Sequence, residues 1–226
     1  MTTLPTPLIW PSSSLVSLPG RGPSAAVRFI EMGLHFELGD LSYFHRLTYQ
    51  TLTTQFAELD ARSKQLGETF AEQHSGGGDG GEVIASRYRE SLSAQDLAME
   101  NVKNMADQFV VMRLAVLQEA NLKNVLRHYV EGADPTDMDW RDLKRGFRGL
   151  GIELPSLGRY QDANELRVLY NCIKHSGYVN DKLAEFSVFG GREGDDLSKV
   201  HQFEIQRYAE GSYLVMDQVF SALNKD

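Results

Sequence analysis

EVIASRYRESLSAQDLAMENVKNMADQFVVMRLAVLQEANLKNVLRHYV, residues 82–130, contains neither proline nor glycine. Within it Val102, Met105, Phe109, Met112 and Val116 recur at alternating steps of three and four. That is the spacing of one apolar face of a helix, and it predicts a long helix packing through this stripe against antiparallel neighbours. The methionines read as adaptable core filler. Ser93 with Asp96 resembles a capping pair, so the sequence allows a break near residue 92.

Working upstream, Gly76-Gly-Gly-Asp-Gly-Gly81 predicts a flexible connection, because each glycine costs roughly 1 kcal/mol in a helix. It lacks the Lys-Ser/Thr of a phosphate-binding loop, and no strand precedes it. Before it, Val27, Ile30 and Leu34, then Leu41, Phe44, Leu52, Phe56, Leu59, Leu66 and Phe70, keep helical spacing. They predict one long helix, or two with a bend near Gly39. Residues 1–23 hold five of the seven prolines and read as an extended or mobile arm, in which Leu8, Ile9 and Trp10 are able to dock onto the body or onto a partner. The arm has no basic n-region, so it does not read as a secretory signal.

Downstream, Gly132-Ala-Asp-Pro135 ends the long helix. Thr136 and Asp139 open a short one with Trp140, Leu143, Phe147 and Leu150 on its apolar side. Asp162 with Glu165 suits the start of the next, which runs to about Ser176 with Gly177 closing it. A short helix near Val179–Phe186 and a last one near Val200–Leu223 complete the chain. No β alternation is sustained. The expected architecture is an all-α, up-and-down helical bundle, with residues 24–226 as one domain carrying the flexible loop at 76–81.

Composition narrows the function. The net charge is −8, so any nucleic-acid site must be a local basic patch. No apolar run approaches the length of a membrane span, and no membrane association is expected. Cys172 is the only cysteine, which excludes an intrachain disulfide and suggests a reducing, cytoplasmic setting. His35, His45, His74, His128, His175 and His201 fall in no metal-ligand spacing, so neither a metal nor another cofactor is expected.

One helix concentrates chemistry. Leu166, Leu169, Tyr170 and Ile173 make an apolar face, beside which Arg167, Asn171 and Lys174 stack, with His175 four residues past Asn171. A histidine moves protons near neutral pH, and a cation steadies phosphate charge. The same residues also suit a bland reading, since Lys174 and His175 meet the negative end of the helix dipole. Arg141, Lys144, Arg145 and Arg148 form a basic side on the preceding short helix, with Arg159 nearby.

The run Glu165-Leu-Arg-Val-Leu-Tyr-Asn-Cys-Ile-Lys-His175-Ser-Gly resembles the signature helix of HEPN-superfamily proteins. The resemblance extends over about Val83–Leu223. It implies a dimeric helical bundle of the defence, stress-response or toxin–antitoxin type, many of whose members are metal-independent ribonucleases. His175 matches the family's catalytic histidine and Asn171 the polar residue after its arginine. The arginine position itself holds Tyr170, while Arg167 and Lys174 lie close by. The resemblance further implies a cleft between two motif helices of a homodimer, an RNA partner guided by Arg141, Lys144, Arg145 and Arg148, and an antitoxin or other protein partner. The alternative is a non-catalytic dimeric helical module that binds a partner or ligand.

Overall fold

Two long helices, α1 (Ala25–Gln73, 49 residues) and α2 (Asp79–Tyr129, 51 residues), lie side by side. Glu37 meets Arg113, Phe44 meets Phe109 and Tyr49 meets Asp107, so positions fall on α2 as they rise on α1 and the pair is antiparallel. The structure is a computed structural model describing residues 6–10, 25–73, 79–200 and 203–223. Four shorter helices follow: α3 (Trp140–Gly149), α4 (Tyr160–His175), α5 (Asp181–Ala184) and α6 (Ile205–Leu223). Among the described residues there is no strand, only an isolated bridge between Tyr178 and Asp196. The all-α bundle is as expected.

The C-terminal half of α2 is the centre of the body, packing against α1, α3, α4 and α6. Val110, Val111, Leu114, Leu122, Val125 and Leu126 are buried there with Leu143 and Phe147 of α3, Leu166 and Leu169 of α4, and Tyr208, Val215 and Val219 of α6. Burial of this kind stabilises by about 25 cal/mol per Å2 of apolar surface removed from water. Beyond Leu52 on α1 and before Lys103 on α2, no described side chain is buried. The hairpin therefore projects from the body as a two-helix arm, on the order of 30 Å long at about 1.5 Å per residue.

Of the two alternatives for the first helical stretch, α1 takes the single long helix, continuous through Gly39, while other elements depart from the sequence reading. Leu38 and Leu41 are buried on either side, and that packing outweighs the roughly 1 kcal/mol that a mid-helix glycine costs. Helix α2 runs unbroken past residue 92 and begins at Asp79, so Gly80 and Gly81 belong to its first turn. Gly76–Gly78 lie outside the described residues, as do the side chains of Val27 and Phe70. Helix α6 begins at Ile205, and α5 is a single turn. Asp139 does cap α3, accepting from the backbone N–H groups of Arg141 and Asp142.

The largest correction concerns the stripe on α2. Val102, Met105, Phe109 and Val116 are exposed. The core is met instead by the opposite side of the helix, through Val110, Val111, Leu114, Gln118 and Leu122. Helix α2 carries two apolar faces, and the more regular one points away from the body.

Part of the N-terminal arm docks. Leu8 and Trp10 are buried, and the segment is bonded rather than merely laid down. The Leu8 N–H donates to His45 Nδ1 and the Trp10 N–H to Ser42 Oγ, while the Ser42 hydroxyl donates back to the Leu8 carbonyl. The Ile9 N–H reaches Gln206 of α6. Residues 1–5 and 11–24 lie outside the described residues.

Candidate functional site

Helix α4 is entered through Arg159, a non-glycine residue in the left-handed region at φ 65°. The expected start at Asp162 and Glu165 is corrected, because both carboxylates are buried inside the helix's packing face. Arg207 of α6 bridges them, and the Tyr208 hydroxyl donates to Glu165 at 2.6 Å. Burial opposes the Arg207 charge, but hydrogen bonds to Glu165 and Asp162 outweigh it and raise its pKa. Burial, with the neighbouring Glu165 charge, pushes the Tyr208 hydroxyl well up. Gly211 of α6 lies against this clamp, where an added Cβ would stand 2.6 Å from Asp162 Cβ.

These anchors rotate the buried face of α4 from the expected one. Leu166 and Leu169 are buried as read, but Val168 and Cys172 join them. Tyr170 and Ile173 are half-buried at the rim. Gly177 follows the helix with φ 73°, and its N–H bonds the Cys172 carbonyl, closing the last turn.

The four candidate residues lie along the outer edge of α4. Arg167 is half-buried, with its guanidinium 5.3 Å from the centre of the Trp140 ring and bonded to the Asn164 side-chain oxygen. Burial lowers its pKa, against the opposing pull of Tyr160 and Glu119. Lys174 is exposed and its ammonium sits 5.7 Å over the Tyr170 ring. Asn171 is half-buried, and His175 is exposed at the last position of the helix. Among the described residues, no hydrogen bond joins these four side chains to one another. They share an edge, but one protomer does not gather them into a cleft.

The basic residues of α3 are divided. Arg141 and Arg145 are exposed and Lys144 is half-buried, but Arg145 pairs with Asp142 and Arg148 with Glu153. Arg159 turns toward Asp162 and Glu210. Arg141 and Lys144 are the cations of this group closest to Trp140 in sequence.

The sequence reading missed a second constellation. Asp107 on α2 is buried and accepts from His45 Nε2 at 2.8 Å, from the Tyr49 hydroxyl at 2.8 Å and from Lys103 Nζ at 3.0 Å. Because the Leu8 N–H donates to Nδ1, the His45 proton resides on Nε2. Burial and the Asp107 charge push the Tyr49 hydroxyl well up. The cluster lies beneath a cavity of about 450 Å3 whose lining includes Thr6, His45, Tyr49, Arg159, Arg207 and Glu210. With the arm docked, both His45 nitrogens are engaged, so the cluster fastens α1, α2 and the arm together. The signal was available, since His45, Lys103 and Asp107 interrupt the buried faces of α1 and α2. The more regular apolar stripe of α2 hides it, because that stripe reads as the core face although it is exposed.

Among the described residues, no group of three or more His, Cys, Asp or Glu side chains is placed to hold a metal ion. No described helix is long and apolar enough to cross a membrane. Comparison with protein-family models, with curated proteins and with solved structures finds no match.

Proposed function

We propose that the chain is a HEPN-like, RNA-associated protein of the defence, stress-response or toxin–antitoxin type, and that RNA meets it along the α3–α4 edge. One observation carries the reading. Cations are laid over aromatic rings along that edge, Arg167 over Trp140 and Lys174 over Tyr170, with Tyr160 stacked behind Trp140 and His175 open at the end. Single strands are held by this combination, since bases stack on rings while cations meet phosphates. In a cleaving enzyme His175 moves the proton and Lys174, the more open cation, steadies the phosphate.

The test is binding and cleavage of single-stranded RNA at low salt, with EDTA present. Removing Lys174 and Arg141 together is expected to weaken binding by about tenfold and to flatten its salt dependence. His175→Ala is expected to abolish cleavage and leave binding in place. If the wild-type chain neither binds nor cuts RNA, the reading falls.

The second reading is a non-catalytic helical module that holds a partner or ligand at the same edge. It is favoured by Tyr170 in the place of the motif arginine and by the commitment of Arg167 to Asn164 and Trp140. Binding without cleavage, unchanged by His175→Ala, would select it.

A further inference from the structure

We infer that a second copy of this chain covers the outward apolar face of the α1–α2 hairpin, forming a two-fold four-helix seam on the side of the body opposite α4.

The face is built from both helices. On α2, Val102, Met105, Phe109, Met112 and Val116 keep a strict three–four spacing, and Met105 is 69% exposed. On α1, Phe29, Met32, Phe36, Tyr43 and Leu47 keep a similar spacing, with Phe29 70% and Phe36 69% exposed. At 100° per residue the α1 stripe lies diametrically across the helix from Leu34, Leu38, Leu41 and His45, which face the core. Both long helices are thus apolar on two opposite sides, a pattern that belongs to helices covered on both sides. Phe44 and Phe109 meet edge to face at 5.2 Å between ring centres, which joins the two stripes into one surface.

Size and the spacing of the stripes point to another copy as the occupant. The exposed fractions of these aromatic and aliphatic side chains sum to roughly 1,000 Å2, above the ~300–600 Å2 of the largest patch on a typical monomer and above the ~800 Å2 per partner of a stable interface. The α2 stripe contains no charged side chain, and the charges across its junction with α1 already pair, Arg113 with Glu37 at 2.7 Å. Asp40, exposed between Phe36 and Tyr43, is the one charge within the α1 stripe, and the two-fold must hold the two Asp40 carboxylates apart. Heptad spacing gives the knobs and holes that two antiparallel hairpins use to form a four-helix bundle.

This placement does not depend on the RNA reading, but it constrains it. Gln118, across α2 from the stripe, donates to the Ala163 carbonyl of α4. A dimer through the stripe therefore puts the two α4 edges on outer surfaces, where each acts alone instead of sharing a cleft.

The experiment is the solution mass of the full chain by light scattering over a range of micromolar concentrations, for the wild type and for Phe36→Glu/Phe109→Glu. The wild type is expected at twice the 25.4 kDa chain mass. The variant is expected at the chain mass with unchanged helix content, its self-affinity lowered at least about 100-fold by carboxylates in an apolar seam. Met105→Arg, a single change at an open position, serves if the double variant does not fold. A monomeric wild type overturns the proposal, including one that instead takes up lipid vesicles or detergent on this face. A dimer that survives either folded variant overturns it too, since its contact lies elsewhere. RNA binding per chain is expected to be equal in wild type and variant, so the two readings fail separately.

Discussion

Asp107 gathers His45, Tyr49 and Lys103 from two helices, and none of those bonds is exposed to solvent. Replacing it by alanine leaves a buried ammonium without its carboxylate and two donors without their acceptor. Such a loss costs about 3–5 kcal/mol. Urea denaturation of Asp107→Ala should show it, and a loss below about 1 kcal/mol would mean that the cluster does not fasten the helices. Cys172 makes the opposite case, a reactive residue type made inert. It is buried in α4, and burial pushes its thiol up, with Asp181 adding to the shift and the Asn180 N–H opposing it. Labelling by a disulfide reagent is expected to be slow in native buffer and fast in denaturant. At this scale the sequence was legible where chemistry is local. Arg167, Asn171, Lys174 and His175 share an edge because helical geometry requires it. The bond from His45 to Asp107 spans 62 positions and two helices, and no spacing rule announces it.

The docked arm and the α4–α6 contact show how elements are held. Trp10 lies against His35, with ring centres 5.8 Å apart, and His35 in turn meets the Tyr213 hydroxyl at 3.1 Å. Burial holds the His35 imidazole below the ordinary value of 6.5, against the opposing pull of Glu31. The folded state therefore binds the proton less readily than the unfolded state. The stability this group contributes is fully present above pH 6.5 and is lost as pH falls from there through its lowered folded value. Denaturation midpoints at pH 7.5 and pH 5.5 are expected to drop on acidification, and to drop less in His35→Gln. An equal drop in both would assign the effect to other groups. Gly211→Ala tests the second contact. Its Cβ would enter the space of Asp162 and displace the carboxylate that Arg207 holds, at a cost of about 1–3 kcal/mol. A denaturation midpoint equal to the wild type's would contradict that close approach. Elements were legible where breakers and caps are unambiguous, as at Asp139, Gly132 and Gly177. The start of α4 was not, because Asp162 and Glu165 imitate a capping pair while serving Arg207.

At the scale of the whole molecule, the reading of an all-α bundle held because long stretches without proline or glycine have few alternatives. The direction in which α2 faces did not follow, because two apolar stripes on one helix are equivalent until the neighbours are known. The same helices divide the protein mechanically. Among the described residues, the buried side chains of α2 all fall in 103–129, whereas none in 86–102 of α2 or 53–69 of α1 is buried. In the arm Phe56, Leu59 and Leu66 and, across from them, Leu92 and Met99 are only half-buried, so little apolar area offsets the entropy of ordering two helices. Local opening there requires no disruption of the core. Hydrogen exchange is expected to be fast in 56–66 and 88–99 and to approach the global unfolding limit in 110–126, with rates differing by about a thousandfold or more. The proposed two-fold seam covers residues 29–47 and 102–116, at the base of the arm, and leaves its outer part free. Dilution below the dimer's dissociation constant should therefore raise exchange at the base and leave the outer arm unchanged. Protection along the full arm that vanishes on dilution would extend the interface to its end and move the two-fold axis outward.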